Sequence, residues 1–107
     1  MIVVSRLRSY KYLDVRTPEE FAGGHAPGAL NVPFMNASAA GMTPNPAFLA
    51  GCAGVINNKD CQVLVGCKSG ARSLKAATAL SDAGYSGLID VAGGFSAWEA
   101  ANLPVEK

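Results

Sequence analysis

The stretch from Cys61 to Ala83, CQVLVGCKSGARSLKAATALSDA, limits what this chain can fold into more than any other part of it. It opens on an apolar run, Val63-Leu64-Val65, of the kind that forms a strand buried on both faces. A short loop, CKSGARS from Cys67 to Ser73, comes next, and an alanine-rich helical stretch then runs to a stop at Gly84. Strand, tight loop and helix start in succession bring backbone N–H groups together around Cys67, because the first N–H groups of a helix have no intrahelical acceptor. The positive end of the helix macrodipole, with Lys68 and Arg72 close in sequence, favours a thiolate over a thiol.

Other readings of Cys67 meet physical objections. An inert buried thiol at a strand end is the ordinary state of a free cysteine. Here, however, the adjacent Gly, Ser, Arg and Lys make the position polar and anion-friendly. A zinc site lacks partners at metal spacing: the other cysteines are Cys52 and Cys61, there is no CxxC pair, and His25 lies far upstream. A disulfide between Cys61 and Cys67 fails on reach. Extended strand separates them by roughly 20 Å, whereas a disulfide holds its Cα atoms within about 7 Å. What remains is a nucleophilic cysteine that binds an anionic substrate.

The whole chain sets further bounds. Its 107 residues suit one domain with a single core. Half of the residues are apolar and the net charge is +1, so no basic surface argues for nucleic acid. No apolar run reaches the length of a membrane span, and the stretch from Met1 to Tyr10 lacks a signal-peptide core. Three cysteines, an odd number, argue for a reducing compartment over a secreted disulfide scaffold.

Three motifs in order, DVRTPEEFAGGHAPGALNVP, CKSGARS and DVAGGFSAW, make the chain resemble a single-domain rhodanese of the plant and bacterial kind, from about Tyr12 to Pro104. The resemblance implies an α/β, rhodanese-like three-layer domain over residues 1–107, with a central, mostly parallel sheet flanked by helices. It implies a thiosulfate sulfurtransferase in which Cys67 is catalytic and Lys68, Ser69, Gly70, Ala71, Arg72 and Ser73 bind substrate. The Cys67 thiolate takes the outer sulfur of thiosulfate or a similar donor, becomes a persulfide, and passes that sulfur to cyanide, a thiol or a thioredoxin-like acceptor. Neither metal nor organic cofactor is implied, and the expected partners include no nucleic acid and no membrane. The expected location is cytoplasmic, or plastid or mitochondrial after removal of a transit peptide. Asp14 and Arg16 are implied to be structural, tying loops together by ion pairs.

Two alternatives come with this resemblance. A cysteine phosphatase or arsenate reductase of related fold uses the same cradle with five residues between Cys and Arg. The four here, KSGA, suit a smaller anion. A sulfur-carrier or interaction module is the other alternative, and an intact Cys67 loop does not separate it from an enzyme.

Along the rest of the chain, Ile2-Val3-Val4 reads as a short strand in a curtailed N-terminal region, native or trimmed from a longer precursor. The segment 10–15 reads as a core strand. Thr17, Pro18 and Glu20 form an N-cap, N1 residue and capping box, Phe21 turns that helix inward, and Gly23-Gly24 end it. The lone His25 reads as a loop-bracing hydrogen bonder. Ala29 to Val32 reads as a strand, and NASAAGMTP as a loop bordering the site. Asn45-Pro46 opens a short helix that turns Phe48, Leu49 and Cys52 inward. Leu74, Ala76, Ala77, Leu80 and Ala83 form the buried stripe of the central helix. Leu88 to Val91 makes a following parallel strand. Gly93-Gly94 permit a close backbone approach, Ser96 caps the last helix, Phe95 and Trp98 fill core and pocket wall, and Asn102 and Pro104 end the structure.

Overall fold

A computed structural model describes residues 10–38, 41–68, 70–91 and 93–107. Ile2-Val3-Val4 and Ser69 lie outside the described residues. Four parallel strands make the central sheet: β1 (Tyr10–Asp14), β2 (Leu30–Asn31), β5 (Gln62–Gly66) and β6 (Gly87–Asp90), in the order β2-β1-β5-β6. Side chains alternate across the pleat with a period of two, and the chain uses both faces. Leu13, Val63 and Val65 join one apolar cluster with Phe48, Cys52 and Ile56 of α2 (Phe48–Val55) and its C-cap, and with Ala76 and Leu80 of α3 (Ala71–Asp82). Tyr12 and Leu64 join a second cluster with Phe95 and Trp98 of α4 (Gly94–Ala100). The result is the expected α/β layering of helices around a parallel sheet.

Register then places the chemistry. Asp14 pairs with Gly66 and Val65 with Asp90, so the carboxyl ends of β1, β5 and β6 finish along one edge. Open α/β sheets bind ligands at that edge. The short helix α1 (Pro18–Ala22) starts there with its capping box formed: Thr17 Oγ1 accepts from the Glu20 amide, and the Thr17 amide donates to Glu20 Oε1. Among the described residues, no helix is long and apolar enough to cross a membrane.

Several local expectations are corrected. NASAAGMTP is no plain loop: β3 (Met35–Ser38) and β4 (Gly41–Pro44) pair as an antiparallel hairpin. β4 is exposed along its length, so no apolar alternation advertises it. Asn45 opens an Asx turn, accepting from the Ala47 amide and donating to the Pro33 carbonyl, and α2 begins only at Phe48. Phe48 and Cys52 then share the buried face, which leaves Leu49, one position round, exposed. The same offset exposes Leu74, because Ser73, Ala76 and Leu80 form the buried stripe of α3. Phe21 does not enter the core but stacks on His25, with ring centroids 3.7 Å apart. Ser96 lies inside α4, whose N-cap is Gly93. Past Pro104 the chain still pairs, Glu106 forming a β-bridge with His25.

Candidate active site

Cys67 follows directly on β5, and its side chain is buried. Its Sγ accepts the Gly70 N–H at 3.0 Å. Gly70, the N-cap of α3, has φ +112°, a conformation that costs glycine little and a Cβ-bearing residue much. Helix α3 begins at Ala71, so Ala71, Arg72 and Ser73 belong to its first turn and not to the loop. Their amides are among those a helix leaves without an intrahelical acceptor.

Ser73, fully buried, sits 3.6 Å from Cys67 Sγ, 2.7 Å from Asp90 Oδ1 and 3.0 Å from the Gly70 carbonyl. A hydroxyl has one proton to give. The shorter bond, to Asp90 Oδ1, takes it, which leaves the Ser73 oxygen facing the sulfur as an acceptor. Asp90 was missed by sequence reasoning. Only the register of β6 against β5 brings it beside the loop.

The back of the loop is fixed by α4. The Cys67 carbonyl accepts from the Phe95 amide at 2.6 Å, and the Lys68 carbonyl accepts from the Ser96 amide at 3.1 Å. Gly94 makes this approach possible, since a Cβ there would overlap the carbonyls of Cys67 and Lys68. That is the close approach expected of the Gly93-Gly94 pair.

Arg72 reaches a partner that sequence reasoning did not foresee. Its Nη1 and Nη2 donate to Glu20 Oε1 and Oε2 at 2.7 and 3.0 Å, a fork-on-fork pair. The guanidinium holds the Glu20 carboxyl down at about 2, with Thr17 hydrogen bonds adding to the effect and partial burial opposing it. The pKa of Arg72 is raised, first by Glu20, and the charges of Cys67 and Asp14 add to that. Arg72 thus lies within electrostatic reach of the nucleophile while its fork is occupied.

The remaining polar residues brace this edge. Arg16 grips Asp14 at 2.7 Å, donates to the Gly24 carbonyl at 2.7 Å and lies 4.3 Å from the Phe95 ring centre. This is the structural ion pair expected of Asp14 and Arg16. Asn31 donates to the carbonyls of Asp14 and Arg16. Nδ1 of His25 lies 2.8 Å from the Phe21 carbonyl and Nε2 lies 3.3 Å from Glu106 Oε1, a loop brace as expected. Beside the loop opens a cavity of about 270 Å³ lined by Arg16, Glu19, Glu20, Lys68, Phe95 and Glu99 among others. A larger one, about 420 Å³, runs along the flank of α3 past Leu74, Tyr85 and Leu88, but no described lysine or arginine lines it. The cavity beside the loop carries both signs of charge, Lys68 and Arg16 against Glu19, Glu20 and Glu99.

Fold and site together define a class: an α/β domain that presents a buried cysteine, with the Gly70 N–H on its sulfur, at the carboxyl edge of a parallel sheet. The chain belongs to the family of rhodanese-like domains, whose model matches residues 3–101. It is similar to thiosulfate sulfurtransferase 16, named as chloroplastic, from Arabidopsis thaliana: 51% identical over 100 residues, covering 94% of this chain and 82% of that protein. It is 47% identical to the senescence-associated protein DIN1 of Raphanus sativus, covering 92% of this chain but spanning only about half, 53%, of that relative. Among solved structures it resembles a rhodanese-related protein from Thermoplasma volcanium, with a TM-score of 0.75 at 27% identity, covering 97% of this chain and 90% of the other. These relatives support an enzyme of the sulfurtransferase type.

Proposed function

We propose that this domain is a sulfurtransferase that carries a sulfane sulfur from thiosulfate or a similar small anion to a thiol or cyanide through a persulfide on Cys67. The observation that carries this reading is the Gly70 amide donating to Cys67 Sγ at 3.0 Å, at the point where β5 passes into α3. In the first half-reaction the Cys67 thiolate attacks the outer sulfur of thiosulfate. A new S–S bond forms, the S–S bond of thiosulfate breaks, and the electron pair leaves on sulfite. In the second, a nucleophile such as cyanide or a thiol attacks the terminal sulfur, and the electron pair of the breaking bond returns to Cys67 as thiolate. Backbone donors from Lys68 to Ser73 stabilise the departing anion and then the persulfide, with Lys68 adding positive charge.

The four residues between Cys67 and Arg72 support a small sulfur-bearing anion over a phosphate ester, because donor positions in a backbone cradle are set by loop length. The acceptor is a small thiol or a thioredoxin-like protein. The chloroplastic relative supports a plastid over the cytoplasm as the place of action. The test compares turnover on thiosulfate, mercaptopyruvate and a phosphate ester under one set of conditions. Cys67-dependent thiocyanate formation from thiosulfate, with negligible ester hydrolysis, is the expected result. Cys67-dependent ester hydrolysis with no sulfur transfer would overturn the reading.

A further inference from the structure

Glu20 holds the one side chain in the CKSGARS motif that is built to fork around an anion. Its carboxylate is placed from two directions: Thr17 fixes Oε1 through its amide and hydroxyl, both at 3.1 Å, and Arg72 closes on both oxygens. A carboxylate so held presents two coplanar oxygens to the guanidinium, much as an oxyanion donor does. Glu20 also lines the cavity beside Lys68, together with Glu19 and Glu99. Any dianion that engages Arg72 therefore meets a guanidinium whose fork and charge are already taken up by Glu20.

We infer that Glu20 is an internal competitor for the anionic donor and sets donor affinity. Thiosulfate engages Arg72 only by exchanging with the Glu20 carboxylate, so Glu20 positions Arg72 and weakens donor binding at the same time. The inference rests on the sulfurtransferase reading for the name of the donor, but its physical content concerns any sulfur or oxygen dianion at this site. It extends the reading by assigning a specificity-determining role to a residue of α1, outside the cysteine loop.

The substitution Glu20→Gln isolates the effect. Glutamine completes a capping box as glutamate does, so α1 keeps its start, while the charge that balances Arg72 is removed. Inert sulfate is the probe: its ability to shield Cys67 from alkylation by iodoacetamide, read by peptide mass mapping, needs no sulfur transfer. The half-protecting sulfate concentration and the KM for thiosulfate should both fall roughly three- to tenfold in Glu20→Gln, a range set by a partly exposed ion pair. Asp60→Asn, which removes a carboxylate beside Ser86 at the opposite end of the sheet, should move either quantity by less than about twofold. Adding Arg72→Gln to Glu20→Gln should abolish the gain, because the two effects are coupled. Sulfate protection that is unchanged or weaker in Glu20→Gln overturns the inference. So does an equal gain in Asp60→Asn, which would make the effect one of general charge. A protein that loads no sulfur at all, yet is better protected by sulfate in Glu20→Gln, would refute the sulfurtransferase reading and leave the competition standing.

Discussion

Cys52 and Cys67 are both buried, at 0% and 1% exposure, and both belong to the same apolar cluster. Their surroundings differ in one respect. Cys52 lies within α2, and burial pushes its thiol up to about 12. Cys67 lies where a strand ends and a helix begins, with the Gly70 amide on its sulfur and Arg72 within electrostatic reach. Burial alone makes a thiol inert, because an apolar surrounding disfavours its ionised form. Burial with oriented donors excludes water while giving a negative sulfur, and the anions it exchanges with, somewhere to sit. Depth in the core therefore says nothing about reactivity, and the direction of nearby N–H groups says a great deal.

The largest expected effect comes from making Cys67 more like Cys52. Gly94→Ala places a Cβ against the Cys67 and Lys68 carbonyls at a residue with φ +61°. The backbone must shift, which displaces the loop without touching Cys52. Sulfur transfer should fall by a hundredfold or more, with about 1–3 kcal/mol lost in stability by chemical denaturation. Wild-type activity in a folded Gly94→Ala protein would mean that the loop geometry is not what activates the sulfur.

Arg72→Ala removes the distant charge and keeps the backbone donors. We expect KM for thiosulfate to rise roughly tenfold, the size of one charge-assisted contact already shared with Glu20. Arg72→Lys should recover only part, since a point charge does not repeat a planar fork. Steady-state kinetics at low donor concentration decide this.

Cys52→Ala tests the other side of the comparison. Loss of one buried sulfur should cost about 1 kcal/mol, or roughly 4–8 °C in Tm, with activity retained in the folded protein. Cys52→Ala and Cys61→Ala together should also retain it. Loss of sulfur transfer in that folded double variant would assign a resolving role to one of the two.

The smallest effect is one of pH. The Glu20 carboxyl is lowered from 4.5 to about 2 in the folded chain. Its contribution to stability is therefore fully present above about pH 4.5 and is lost as the pH falls toward 2. Glu20→Gln should flatten that part of the acid profile by a small amount, because the pair is partly exposed. Urea midpoints at neutral pH and at pH values between those limits check it.

Local patterns in the chain were enough to read the strand–loop–helix around Cys67, the capping box at Thr17 and the need for glycine near the loop. Each follows from a few neighbouring residues whose backbone demands are unambiguous. The partners of the site residues were not legible in this way. Glu20 already had a local task as the N3 residue of α1, and nothing near it in sequence points to Arg72. Asp90 reads as an ordinary strand residue until the pairing of Val65 with Asp90 sets it beside Ser73. Leu49 and Leu74 show a related gap: leucine suggests burial, but a one-residue change in helix phase turns each outward. The β3–β4 hairpin escaped notice because Asn, Ala, Ser and Gly favour strands weakly, and its pairing is made within the hairpin itself.

The most direct test of the contrast between the two thiols is intact and peptide-level mass spectrometry after exposure to thiosulfate. One added sulfur atom is expected on Cys67 and none on Cys52 or Cys61, with its removal by cyanide releasing thiocyanate. No added sulfur on Cys67 from any sulfane donor, or equal loading of Cys52, would contradict it.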